Sequence, residues 1–98
     1  MVATFDGWPP GDLRLLAQRI VALEPAVALL ASRADKAHLV FAQSEGLPHD
    51  VPGLLKAALE RIGGRGGGRG NLAQGGGDDP ESLGEALAQA AAAVKARS

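Results

Sequence analysis

The chain has 98 residues, no cysteine and a formal net charge of −1. Its length supports one domain with a modest core, and the lack of cysteine excludes disulfides and thiolate metal sites. No apolar run approaches the ~20 residues of a membrane span, and no signal peptide opens the chain. We therefore expect a soluble, cytoplasmic protein with no membrane partner.

Strand and helix patterns alternate through the first half of the sequence. Val2 to Phe5 is β-prone, and a strand that begins so early suggests a domain excised from a longer protein. Apolar residues then recur at helical spacing from about Pro10 to Leu23. Glu24-Pro25 ends this helix, because the residue before proline avoids helical backbone angles. Ala26 to Ala31 is continuously apolar, which predicts a strand buried on both faces.

The second half adds one strand and two helices to the predicted order. Ala37 to Gln43 is expected to be the returning strand, and Val51 to Ile62 repeats the helical period after Asp50, a favoured N-cap residue. The segment 78–81, Asp-Asp-Pro-Glu, starts a third helix in one of two registers, with the cap at the first or the second aspartate. Periodicity alone predicts a single small α/β domain with a mixed β-sheet and about three helices.

The segment 63–77, which reads GGRGGGRGNLAQGGG, is the most unusual part of the sequence. Nine of its fifteen residues are glycine, it contains no acid, and Arg65 and Arg69 lie within it. Glycine costs a helix ~1 kcal/mol per residue relative to alanine. We therefore expect an irregular loop with free backbone N–H groups, and at most a short strand around Leu72 to Gln74.

Such a loop suits an anionic ligand. Glycine lets a ligand approach the main chain closely, successive N–H groups can form a concave anion nest, and arginine binds phosphate bidentately. The alternative is a flexible Gly/Arg linker. The insert Asn71-Leu72-Ala73-Gln74 favours a structured loop instead, and we expect weak, salt-sensitive binding to nucleic acid.

Known catalytic motifs are not found in this sequence. The loop lacks the Lys-[Ser/Thr] of a P-loop. Gly68-x-Gly70-x-x-Ala73 matches a dinucleotide fingerprint but follows a helix rather than a strand. The serines lack a G-x-S-x-G setting, and the two histidines lack the spacing of metal ligands. The sequence therefore predicts a binding module with no catalytic residue, metal or cofactor of its own.

The glycine segment resembles the signature of the DHHA1 domain, G-G-x-G-G-G-[RH]-x-x-x-A-x-x-G-G. Here the signature begins at Gly63, has Arg69 after the glycine triplet, and ends with Ala73-Gln74-Gly75-Gly76. DHHA1 domains occur at the C-terminus of alanyl-tRNA synthetases, in free-standing alanyl-tRNA editing proteins and in DHH-superfamily phosphoesterases. The resemblance covers essentially the whole chain, and it implies that residues 1–98 form one DHHA1-like nucleic-acid-binding domain.

The residue after the glycine triplet distinguishes the branches of this family. DHH phosphoesterases and exonucleases typically have histidine there, whereas Arg69 with Ala73-Gln74 resembles the synthetase type. Synthetases usually continue Arg-Pro-Asp, and this sequence continues Arg69-Gly70-Asn71, so an editing protein is implied as strongly as a synthetase. The resemblance implies a tRNA-binding accessory domain whose parent is an aminoacyl-tRNA ligase or an aminoacyl-tRNA hydrolase. The alternative is a phosphoesterase lobe that binds single-stranded nucleic acid or a nucleotide.

The partners implied by the resemblance are tRNA, in the first place alanine tRNA, and a parent catalytic or editing domain. The fragment itself is expected to be a monomer. In this hypothesis the arginines and glycine N–H groups of segment 63–77 contact phosphates, and Lys56 extends the positive surface. Asn71 and Gln74 either hydrogen-bond a base or sugar edge or fold the loop. The candidate nucleic-acid-binding residues are Arg61, Arg65, Gly66, Gly67, Gly68, Arg69, Asn71, Gln74, Gly75 and Gly76.

Overall fold

A computed structural model describes residues 1–23 and 25–96. The predicted helix end at Glu24 therefore lies outside the described residues. In chain order the elements are β1 (Val2–Asp6), α1 (Pro10–Leu23), β2 (Val27–Arg33), β3 (Ala37–Gln43), α2 (Val51–Arg61), β4 (Gly64–Arg69), β5 (Leu72–Gly77), a short 3-10 helix (Pro80–Ser82) and α3 (Leu83–Ala96).

The five strands form one mixed sheet in the order β1-β2-β3-β5-β4. β1 runs parallel to β2, and the other neighbouring strands are antiparallel. Helix α1 packs against β2 and β3 on one face of the sheet, whereas α2 and α3 pack together on the opposite face. The prediction of a small α/β domain with a mixed sheet and three helices is confirmed.

The two central strands, β2 and β3, are buried on both faces, as the continuous apolar run predicts. Leu39 and Phe41 face α2 and α3 in the larger core. Leu30 and Val40 face α1 and contact a smaller cluster around its Leu13. Burying each of these side chains contributes about 1.5–3 kcal/mol, so β2 and β3 form the centre on which the helices of both faces pack.

Asp79 caps the short 3-10 helix that leads into α3, which corresponds to the second of the two predicted registers. Pro80 follows the cap residue Asp79, whose carboxylate accepts a hydrogen bond from the N–H of Glu81 at 3.1 Å. Asp78 is exposed and forms an ion pair with Lys36 at 3.8 Å. In chain order, the glycine-rich segment thus lies between α2 and the capped 3-10 helix that precedes α3.

The prediction of an irregular loop at 63–77 is wrong, because this segment forms the antiparallel hairpin of β4 and β5. The short strand considered around Leu72 to Gln74 is present as part of β5. A two-residue turn joins the strands, and its first residue, Gly70, has φ of +65°. Glycine at that position is typical of a type II′ hairpin turn. The N–H groups that face β5 are therefore paired in the sheet ladder rather than free.

Glycine is required in this hairpin because its strands approach each other and α2 closely. A Cβ atom added to Gly75 would lie 2.7 Å from the carbonyl oxygen of Arg65 and 3.0 Å from the Leu59 side chain of α2. Gly67 differs, because a Cβ there would have no atom within 4 Å. Packing therefore requires glycine at position 75 but not at position 67.

We expect Gly75→Ala to lower the free energy of unfolding by about 1–3 kcal/mol, since the added methyl group overlaps backbone that cannot move aside. Gly67→Ala should instead leave it unchanged or raise it by about 0.4–1 kcal/mol, because alanine restricts the unfolded chain. Urea unfolding followed by circular dichroism measures both. Equal losses in the two variants would contradict the difference in packing.

Candidate nucleic-acid interface

The hairpin extends the sheet beyond the part that α1 covers. Helix α1 lies over β2 and β3, so the same face of β5 and β4 is left open. The side chains on this face are defined by the strand register, because directly paired residues share a face. We call the surface made by β4, β5 and the adjacent edge of β3 the open sheet face.

Three rows of paired residues cross the open sheet face from β3 through β5 to β4. The first row is His38, Gly76, Arg65; the second is Val40, Gln74, Gly67; the third is Ala42, Leu72, Arg69. Both arginines, Gln74 and Gly67 are exposed, His38 and Leu72 are half-buried, and Val40 and Ala42 are buried beneath α1. The surface is therefore flat and polar, with a cation at each end of β4 and a bare glycine between them.

Arg65 and Arg69 carry the positive charge of this surface. They lie four residues apart on one strand, which places their Cα atoms about 13 Å apart. Within the described part of the chain, neither guanidinium forms an ion pair or a hydrogen bond. Two unpaired arginines on one face can bind two phosphates of an extended backbone.

The end of the open sheet face near Arg65 carries further nitrogen donors that the sequence prediction did not include. His38 and Lys36 line the same open cavity of about 250 Å³, together with the glycines at both ends of the hairpin. The lysine is the one that forms the ion pair with Asp78. Strand alternation placed His38 on one face with Val40 and Ala42, but nothing in the sequence showed that this face is open at the hairpin.

A buried hydrogen-bond network fixes the hairpin turn at the other end. Gln43, almost fully buried, donates from Nε2 to the His49 carbonyl oxygen at 2.8 Å and to Asn71 Oδ1 at 3.0 Å. Its Oε1 accepts the His49 N–H at 3.1 Å. Asn71 thus folds the turn through its side-chain oxygen, which is one of the two roles considered for it, and its Nδ2 remains for another partner.

The turn also forms one wall of a groove on the α1 side of the sheet. This groove of about 490 Å³ lies between the C-terminal half of α1 and the hairpin, and Arg69 and Asn71 line its hairpin side. Gln18 of α1 and Glu45 of the loop after β3 also line it. The open sheet face therefore leads from the Arg65 cavity to a polar groove at Arg69.

Arg61 does not join this surface in the structure. It lies at the end of α2, on the opposite side of the sheet, where its Nη1 lies 3.4 Å from the Glu85 carboxylate. Its Nε donates to the Gln89 side chain, also on α3. Lys56 is exposed on α2 and is likewise separated from the open sheet face. Both cations predicted to extend the positive surface from the preceding helix thus lie elsewhere.

The candidate glycines fall into two groups. A Cβ on Gly66, Gly68 or Gly75 would overlap atoms of the neighbouring strand, so packing requires glycine there. Gly76 lies between His38 and Arg65, and a Cβ there would be 3.2 Å from the imidazole Nδ1. Of the candidate glycines only Gly67 has empty space above it. Packing therefore gives no reason for glycine at position 67.

The described residues show neither a metal cluster nor a membrane span. Among residues 1–23 and 25–96, no three His, Asp or Glu side chains lie together as metal ligands would. In the same part of the chain, no helix has the length and apolar character needed to cross a bilayer.

The fold and the site define a small mixed-sheet α/β domain with an open, cationic hairpin face. Residues 1–96 match the family model described as the DHHA1 domain, and the chain belongs to this family. The C-Ala domain of alanyl-tRNA synthetase from Aquifex aeolicus has the same fold, with a TM-score of 0.82 and 31% identity over 89% of this chain and 82% of that one.

Curated relatives agree with this family. An alanine–tRNA ligase of Thermus thermophilus is 40% identical over 88% of this chain, which corresponds to 10% of the ligase. An alanyl-tRNA editing protein, AlaX-L, of Pyrococcus horikoshii is 32% identical over 76% of this chain and 18% of that protein. The chain thus spans about a tenth to a fifth of the length of these two relatives.

We expect Gln43→Met to lower the free energy of unfolding by about 2 kcal/mol or more, because the His49 backbone groups and Asn71 Oδ1 lose their partner. Thermal and urea unfolding measure the loss. Gln18→Met is the matched control, since Gln18 is exposed on α1 and should change stability by less than about 0.5 kcal/mol. Similar losses in both variants would contradict the role of Gln43 in holding the turn.

Proposed function

We propose that this chain is a tRNA-binding accessory domain of an alanyl-tRNA synthetase or an alanyl-tRNA editing protein, and that RNA contacts its open sheet face. The observation that carries the proposal is the pair of exposed arginines, Arg65 and Arg69, which face the same side of an edge strand and have no partner among the described side chains. Guanidinium groups left unpaired on a flat surface fit phosphates of a nucleic-acid backbone.

The relatives support the choice of tRNA as the nucleic acid. Their names identify them as alanine–tRNA ligases and an alanyl-tRNA editing protein, and the structural relative is a domain of an alanyl-tRNA synthetase. The parent protein would then be a ligase or a hydrolase acting in the cytoplasm, with its catalytic residues in another domain. Among the candidate residues, those on the open sheet face and at the turn are proposed to contact RNA, namely Arg65, Gly67, Arg69, Asn71, Gln74 and Gly76.

The second candidate function is substrate binding in a DHH phosphoesterase. Arg69 in place of the family's histidine favours the first function. The two functions differ in their ligand, because the phosphoesterase lobe would bind single-stranded nucleic acid without preference for tRNA. A comparison of these ligands therefore separates them.

We expect wild-type protein to bind alanine tRNA more tightly than single-stranded DNA, and Arg65→Ala/Arg69→Ala to weaken that binding. Each lost phosphate contact should also reduce the slope of log K against log salt by about 0.7–0.9. Fluorescence anisotropy at several salt concentrations measures affinity and slope. Lys56→Ala/Lys95→Ala removes the same charge from the α2–α3 side and should leave the slope unchanged.

Two results would count against this function. Equal affinity for single-stranded DNA and alanine tRNA would favour the phosphoesterase lobe. Absence of binding at low salt to alanine tRNA, another tRNA and single-stranded DNA would contradict nucleic-acid binding altogether.

Gly67 provides a second test, because its bare backbone lets RNA approach the strand between the two arginines. We expect Gly67→Val to fold at least as stably as wild type. Its affinity for tRNA should fall about 2- to 10-fold, which corresponds to the loss of about one hydrogen bond. Gly84→Ala, at another glycine with open surroundings but on α3, is the control. Unchanged affinity in Gly67→Val would show that RNA does not approach this strand.

A further inference from the structure

The imidazole of His38 leans over the neighbouring strand, at a position where that strand has no side chain. His38 of β3 pairs with Gly76 of β5, which pairs in turn with Arg65 of β4. A Cβ atom added to Gly76 would lie 3.2 Å from the imidazole Nδ1. The Cβ atoms of directly paired residues are ~4.5–5.5 Å apart. The imidazole therefore extends from β3 across β5, in the direction of Arg65.

His38 and Arg65 face a shared space with nitrogen donors that the protein does not use. Neighbouring strands lie ~4.8 Å apart, so the two residues are separated by the width of β5 alone. Both line the same cavity of about 250 Å³. Among residues 1–23 and 25–96, neither the imidazole nor the guanidinium has a hydrogen bond or an ion pair. A ligand above Gly76 can therefore receive hydrogen bonds from both side chains.

The remaining charged side chains of the cavity oppose each other. Lys36 Nζ lies 3.8 Å from the Asp78 carboxylate, and both side chains are exposed to solvent. Exposed ion pairs of this kind are weak and are screened by salt. Lys36 and Arg65 together outweigh the single carboxylate, so the cavity has a positive charge before His38 is counted. Its ligand is therefore expected to be an anion.

We propose that this cavity holds one phosphate of the bound RNA backbone, and that His38 and Arg65 both donate hydrogen bonds to that phosphate. The inference rests on the proposed function and adds His38 to the residues that bind RNA. Guanidinium and imidazole N–H groups are both donors, and a phosphate has several oxygen atoms that accept. Phosphate contacts position a nucleic acid without reading its sequence, so the site accepts any nucleotide.

A double-mutant cycle tests whether the two side chains share one phosphate, with alanine tRNA as the ligand and fluorescence anisotropy as the measurement. We expect His38→Ala alone to weaken binding about 3- to 10-fold, the loss of one hydrogen bond. In His38→Ala/Arg65→Ala, the loss should be at least about twofold smaller than the product of the two single losses, because each group positions the phosphate for the other.

Arg69 provides the matched control for this cycle, because it lies at the other end of β4. In His38→Ala/Arg69→Ala, the two losses should multiply to within about twofold, as expected of independent sites. His38→Phe keeps an aromatic ring over Gly76 but has no nitrogen donor. It should give the same results as His38→Ala, and it carries the cycle if urea unfolding shows that His38→Ala is not folded.

Asp78→Asn tests the charge of the cavity in the opposite direction. Removal of this carboxylate should tighten binding to alanine tRNA about 2- to 5-fold, the effect of one exposed charge pair. Glu60→Gln removes the same charge from an exposed position on α2 and should leave the affinity unchanged. Equal affinities of the two variants would contradict an anion in the cavity.

The results distinguish this inference from the function on which it rests. Binding that depends on Arg65 and Arg69 but is unchanged in both His38 variants would overturn the inference and leave the proposed function standing. Losses at His38 and Arg65 that multiply would have the same consequence, because the two residues would then bind separately. Absence of tRNA binding by the wild-type protein at low salt would overturn both.

Discussion

The hairpin of β4 and β5 packs on α2 through backbone rather than through side chains, and the surface on its other side depends on that packing. A Cβ added to Gly77 would lie 2.9 Å from the Ile62 side chain, and one added to Gly75 would lie 3.0 Å from that of Leu59. Glycine therefore lets the hairpin backbone lie directly on the Leu59 and Ile62 side chains, with no side chain of its own in between. The arginines of β4 lie on the opposite face.

Successive residues of β4 face opposite sides of the sheet, so its glycines can face α2 while its arginines face away from it. The residues that face α2 are Gly64, Gly66 and Gly68, and the residues between them face the open side. Both arginines therefore lie on the same face, although the chain as a whole has a net charge of −1. Arg61 and Glu85 pair on the opposite side, so part of the acidic charge is balanced away from the arginines of β4. Local placement, rather than net charge, determines which surface attracts an anion.

Much of the fold could be predicted from the sequence, because its hydrophobic patterns are strong. The apolar run 26–31 and the returning strand after it correctly predicted the buried centre of the sheet. The helix cap at Asp79 was one of the two predicted registers. The segment 63–77 was predicted wrongly because its glycine content was weighed against a helix and not against a hairpin. The sequence did contain a signal for the hairpin. It is the alternation of Arg65, Gly67 and Arg69, followed by the doublet Gly70-Asn71.

The site was less predictable than the fold, since it depends on which sheet face a helix leaves open. Arg65 and Arg69 were found from composition and charge, but the separation of Arg61 from them requires the position of α2. His38 and Gln43 were missed because nothing near them in sequence shows that β5 pairs beside β3. The bonded role of Asn71 likewise comes from a contact across 28 residues of chain.

The most direct measurement is a titration of ¹⁵N-labelled protein with alanine tRNA, with amide chemical shifts recorded for every resolved residue. Binding at the open sheet face predicts that the amides of Arg65, Gly67 and Arg69, and of Gln74 on β5, shift or broaden first. The amides of α2 and α3 that face away from the sheet should stay unchanged. Shifts concentrated on α2 and α3, with β4 unaffected, would contradict the account.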